Sequence, residues 1–182
     1  SVTFHPGNIP VARVLGQGLV SAGSGSTNMK DGFSYLRPQM GVTAATTQLY
    51  PGDSGAFITF DDAAATIVLP DSGLPGTIGF HVTFYVASSD AGTKKIVCAD
   101  TSNELIIGYA KTIDTDTSSG DSAVGIFQAQ AGNNFSSITF NGTTTGIIGS
   151  RISLLCTTAN IWIVTESEIL CTGNPATPFA TT

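Results

Sequence analysis

Apolar and polar residues alternate along most of this chain with a period of two. In "TIGFHVTFYVA" (77–87), Phe80, Val82, Phe84 and Val86 share one side, and His81, Thr83 and Tyr85 share the other. A strand sends successive side chains to opposite faces, so this pattern predicts an extended, half-buried segment. In "SRISLLC", Ile152 and Leu154 point one way, and Ser153 and Leu155 the other. In "NIWIVTE", Ile161, Ile163 and Thr165 oppose Trp162 and Val164. Further runs read the same way: "TTQLY", "AFITF", "ATIVLP", "KKIVCA", "ELIIGYA", "AVGIFQAQ", "FSSITF" and a short "EIL". All are rich in Val, Ile, Phe, Thr and Tyr, which suit a pleated surface. Turn signals separate them, among them Asp61-Asp62, Pro70-Asp71-Ser72-Gly73, Ala131-Gly132-Asn133-Asn134 and Asn141-Gly142. The last of these reads as a hairpin turn, and a first hairpin is expected just after residue 50. No segment sustains the 3.6-residue apolar period of a helix. Strands at intervals of about 8–12 residues without helices predict an all-β chain, a single β-sandwich or barrel of about 9–11 short strands.

That body spans 44–182 and ends in a short C-terminal tail. Residues 1–43 differ: they carry "GQGLVSAGSGSTNMKDG" and three of the eight prolines. Gly and Ser make a flexible backbone, and proline removes ladder donors, so an extended N-terminal arm is expected. Apolar residues punctuate it: Val2, Phe4, Ile9, Val11, Val14, Leu15, Phe33, Tyr35 and Leu36. A plain linker has no use for them. They are the candidate partner-binding residues, set to pack on the chain's own body or on a neighbouring subunit.

Composition narrows the function. Charged residues make up 11% of the chain, under half of the roughly 25% usual in globular proteins, while hydrophobic residues reach 41%. Several predicted strands are apolar on both faces, which fits a closed barrel or an outer face covered by an arm or a second subunit. The net charge is −6 with only seven Lys and Arg and no basic cluster, which argues against nucleic acid as a partner. No apolar run approaches the roughly 18–20 residues of a membrane span, and no secretory signal is visible at the first residue onward. Cys98, Cys156 and Cys171 sit in apolar, strand-like surroundings without metal-ligand spacing, so buried free thiols made in a reducing compartment are expected.

Candidate chemistry is sparse. Gly52-Asp53-Ser54-Gly55 repeats the tetrapeptide around the nucleophile of trypsin-like proteases. A serine nucleophile needs a base and an orienting carboxylate. Only His5 precedes Ser54, with no room for a first barrel; His81 follows it. The tetrapeptide therefore reads as a turn, and no catalytic set is expected. The loop "IDTDTSSGD" offers Asp114, Asp116 and Asp121, but the calcium-loop pattern fails, with Ser119 and Gly125 where Gly and Glu belong. Asn134 and Asn141 match glycosylation sequons. No metal or cofactor is expected. "FITFDDAAAT" (57–66) echoes "SITFNGTTTG" (137–146) too weakly to be a repeat.

Two segments carry a resemblance. "ITFNGTTTGIIGSRISLLCTTANIWIVTESEILCTGNPATPFATT" (138–182) resembles the end of a β-rich domain found in structural proteins of tailed bacteriophages: Asn141 to Gly146 form the turn, Gly149 to Ile152 open a strand, Trp162 centres another, and Thr177-Pro178-Phe179 mark the tail. "YPGDSGAFITFDDAAATIVLP" (50–70) resembles the opening of the same domain, so the likeness covers about residues 47–182. It implies a virion component without enzymatic activity, most like a capsid decoration (cement) protein. Such a protein is made in the host cytoplasm, sits as a homotrimer on the outer capsid surface, and holds together capsomers of the major capsid protein. Similar domains occur in phage tails, which leaves a receptor- or glycan-binding domain of a fibre or baseplate as the alternative. In that reading Trp162, Tyr109 and Tyr85 stack on sugar.

Overall fold

The computed structural model of the chain describes residues 12–15, 18–21, 39–42, 45–61, 64–88, 92–116 and 123–182. It divides into two compact units, 1–36 and 37–182. In the first, β1 (Ala12–Leu15) and β2 (Gly18–Ser21) form an antiparallel hairpin in a stretch expected to be extended arm.

The second unit is all-β, with two sheets in a sandwich-like arrangement. Its strands are β3 (Gln39–Val42), β4 (Thr46–Gln48), β5 (Phe57–Phe60), β6 (Thr66–Val68), β7 (His81–Val86), β8 (Lys94–Val97) and β9 (Leu105–Asp114). They continue with β10 (Val124–Ala129), β11 (Ser137–Phe140), β12 (Arg151–Thr158), β13 (Ile161–Cys171) and β14 (Phe179–Ala180). One sheet has seven strands in the order β10-β9-β13-β12-β7-β5-β3. The other has five, β14-β11-β8-β6-β4. Among the described residues both sheets keep open edges, which makes the body a sandwich and not a closed barrel.

The pairing differs from a set of hairpins. β3, β5 and β7 lie side by side in parallel in the first sheet, and β4, β6 and β8 do the same in the second. The chain steps from one sheet to the other after β3, β5 and β7, so three successive turns stack like rungs. Asp61 therefore stands at a corner between sheets, and no hairpin joins β5 to β6. Asn141-Gly142 likewise does not join paired strands, because β11 and β12 belong to different sheets. Its turn closes on itself: Asn141 Oδ1 accepts the amides of Thr143 and Thr145, each at 2.9 Å. The hairpins of the body are β9–β10 and β12–β13, the latter turning through Asn160 at φ 68°.

The predicted faces hold where they build the core. Phe80, Val82, Phe84 and Val86 are buried, as are Ile152, Leu154 and Trp162. Burial of such side chains stabilises the fold by about 1.5–3 kcal/mol each. Rings bridge the layers: Phe60 of β5 meets Phe140 of β11 edge-on at 5.9 Å. These are the phenylalanines of the two echoing Ile-Thr-Phe segments. β3 falls within residues 1–43, expected as arm, and pairs in parallel with β5 of this body. The expected "IWIVTE" and "EIL" runs are one strand, β13, interrupted by a bulge.

Candidate functional site

Sequence reasoning placed the partner-binding residues in the arm. Val2, Phe4, Ile9, Val11, Phe33, Tyr35 and Leu36 lie outside the described residues, while Val14 and Leu15 fall in β1. The body supplies a different surface, the outer face of the seven-stranded sheet at its β10 end.

That surface follows from two features of sequence. First, β9 and β10 carry apolar residues on the side turned away from the core. Thr112 and Asp114 of β9 point inward with Ile106 and Ala110; Tyr109 and Lys111 point outward. The register sets Ile126 of β10 opposite Lys111, and Gln128 opposite Tyr109. Ile126 is 72% exposed, Tyr109 59% and Val124 57%. Large apolar groups this open, gathered at one sheet end, differ from the single exposed residues of an ordinary surface.

Second, β13 bulges here. Against β12, Ser153 pairs with Glu166 but Leu154 pairs with Val164, so Thr165 is an extra residue. Against β9 the register breaks between Ile163 and Ile169. A bulge bends its strand and interrupts the ladder. Gly108 accommodates it, because at φ +126° a Cβ there would stand only 3.0 Å from Val164 Cβ. The Ser167 hydroxyl accepts the Lys111 amide at 3.2 Å, where the β9–β13 pairing is broken. The result is a groove of about 360 Å³ lined by Tyr109, Lys111, Ile126, Val164, Thr165, Glu166 and Ser167.

Charges flank it unevenly. Arg151 pairs with both Glu166 (3.0 Å) and Glu168 (3.2 Å), leaving one net negative charge on the β12–β13 side. Among the described residues Lys111, on the β9 side, has no ion pair. Gln128 donates to the Tyr109 hydroxyl at 3.1 Å and accepts from Gln130 at 2.7 Å.

The other sequence candidates fall elsewhere. Ser54 Oγ accepts the backbone amide of His81 at 3.2 Å, and Asp53 Oδ2 accepts that of Tyr50 at 2.9 Å. The polar side chains of Gly52-Asp53-Ser54-Gly55 thus hold a turn against the start of β7. Trp162 is fully buried, edge-on to Phe80 at 5.8 Å, so it belongs to the core and offers no sugar platform. Tyr85 is half-buried and stacks on Phe57. Asp114 is buried, and its Oδ1 accepts the Asp116 amide; Asp121 lies outside the described residues. Among the described residues no group of three or more His, Cys, Asp or Glu is placed to hold a metal ion.

The three cysteines are free and buried. Burial, with the Glu104 carboxylate beside it, pushes the Cys156 thiol from 9.0 up to about 11. Burial raises Cys98 further, helped by Glu104, Asp100 and Cys156. Cys171 is also raised by burial, partly offset by the Gly173 backbone.

The outer face was legible only as a hint. "AVGIFQAQ" is apolar at both alternating sets of positions, but a sequence does not say that β10 is an edge. Among the described residues no helix is long and apolar enough to cross a membrane. Comparison with protein-family models and with curated proteins finds no match.

Proposed function

We propose that this chain is a non-enzymatic structural protein of a tailed-phage virion, a capsid decoration protein that binds the outer shell as a homotrimer and ties neighbouring capsomers together. The observation that carries this reading is the apolar outer face at Tyr109, Val124 and Ile126, on a body with few charges. A lone soluble domain gains nothing from exposing Ile126, whereas a subunit that meets neighbours buries it. The resemblance of residues 47–182 to phage structural domains supplies the kind of assembly. Its partners in this reading are further copies of itself and the major capsid protein, with no cofactor.

The non-enzymatic part draws support from the work that Asp53 and Ser54 do in their turn. A serine-reactive phosphonate is expected to leave Ser54 unlabelled, and labelling there would count against this part. The assembly part is tested by co-sedimenting the purified chain with shells that lack it. Saturable binding that raises the temperature of shell rupture is expected. Shells that neither bind the chain nor gain stability would contradict it.

A receptor- or glycan-binding domain of a tail fibre is the second reading. What favours it is the exposed Tyr109 with Gln128 and Gln130 alongside, since an aromatic ring beside amides suits sugar hydroxyls. Glycan-array binding that disappears in Tyr109→Ala would support it over the first.

A further inference from the structure

We infer that the occupant of the β9–β10–β13 groove is a second copy of this chain, the projection of one copy entering the recess of the next in a head-to-tail contact that can close into a trimer. This rests on the reading of the chain as an oligomeric subunit, and it names the contact. Three observations point to self-contact.

The first is the edge. Among the described residues β10 is the last strand of its sheet, and its sequence "VGIFQA" holds no charge and no proline. Edge strands that face water are usually blunted by lysine, proline or a bulge. β10 has none of these devices, and its outward residues Val124 and Ile126 are the open ones.

The second is shape. Beside the protruding Ile126 lies a groove walled by Tyr109 and Val164 and opened by the Thr165 bulge. One surface thus carries both an apolar projection and an apolar recess.

The third is charge. Lys111 stands on one side of the recess without an ion pair among the described residues. On the other side the Arg151–Glu166–Glu168 cluster carries one excess negative charge. A surface with one spare cation and one spare anion on opposite sides of an apolar centre matches another copy of itself. When two copies meet, Lys111 of one lies against Glu166 of the next while Ile126 enters the neighbouring recess. Such pairing gives register and partner choice around a hydrophobic centre. A strongly basic or acidic partner would leave one of the two charges opposed by its own sign.

The test is sedimentation equilibrium of the full chain and four variants: Ile126→Asp, Lys111→Glu, Glu166→Lys and the double Lys111→Glu/Glu166→Lys. All three substituted positions are exposed, and unchanged circular dichroism and melting verify folding. Wild type is expected to self-associate. Ile126→Asp and each single charge reversal are expected to weaken association about tenfold or more. The double reversal is expected to recover most of the loss, because it restores opposite charges in exchanged places. Association of wild type that all the variants retain would overturn this contact while leaving the oligomeric reading intact. A double variant as weak as the sum of the singles would overturn the charge pairing. A wild type that stays monomeric at every concentration would overturn the oligomeric reading itself. Loss of shell binding in Ile126→Asp of such a monomer would assign the groove to the capsid protein instead.

Discussion

Gly108 carries more of the site than any side chain in it. Its φ of +126° lies where only glycine rests comfortably, and Val164 fills the space a Cβ would need. Gly108→Ala therefore meets both backbone strain and a clash. We expect a loss of about 1–3 kcal/mol, read as a lower urea midpoint, together with a reshaped groove. At the same scale, Cys156 makes stability depend on pH. Its folded pKa of about 11 lies above the ordinary 9.0, because burial and Glu104 disfavour the thiolate. The contribution is thus fully present below about pH 9 and is lost as pH rises through about 11. Urea midpoints measured from pH 8 to 11 should fall less steeply in Cys156→Ala than in wild type. Equal slopes would show that Cys156 does not titrate as described. These residue-level features divide sharply in legibility. Cysteines among Val, Ile and Leu announce burial. Nothing in "IIGYA" announces that its glycine faces a bulge four strands further along the chain, because the partner is set by the fold.

Among the elements, the loop over residues 71–79 depends on a single buried carboxylate. Glu104 Oε1 accepts the Ser72 amide at 2.5 Å, and Oε2 accepts the Asp100 amide at 3.1 Å. Ser72 in turn accepts the Asn160 amide at 2.7 Å, tying the loop to the β12–β13 turn. Hydrogen bonds to a charged group contribute about 1.5–3 kcal/mol. Glu104→Gln removes the charge and turns an amide donor toward a backbone donor. We expect a loss of about 1–3 kcal/mol, with faster hydrogen exchange at Ser72 and Asn160. Unchanged exchange at both amides would argue against the latch. The strands were readable because alternation follows from the pleat: Phe80, Val82, Phe84 and Val86 declared their face. Their partners were not readable. A hairpin was expected just after residue 50, yet after β5 the chain passes to the other sheet, and parallel rungs leave no mark in the turn residues. The β13 bulge was hidden for a similar reason, since "IVTESEIL" reads as two short runs when one is expected at period two.

Across the whole molecule, the two sheets bury an apolar core and still leave apolar residues outside. Phe60 and Phe140 join the layers at their centre, while Ile126, Tyr109 and Val124 stay open at one sheet end. The low charge of the chain fits the proposed reading, in which part of this surface meets another surface. Sequence alone yielded the all-β class and the apolar outer faces. Its candidate binding residues lie in the arm, mostly outside the described residues, and the β9–β10 face went unmarked because a sequence does not say which strand is an edge. The account stands most directly on the position of this chain in a particle, and an electron cryomicroscopy map of the virion would give it. The prediction is density matching the two-sheet body on the outer capsid, with the β9–β10 face turned toward a neighbouring copy. Density for the chain confined to the tail, or a β9–β10 face open to solvent in the particle, would contradict it.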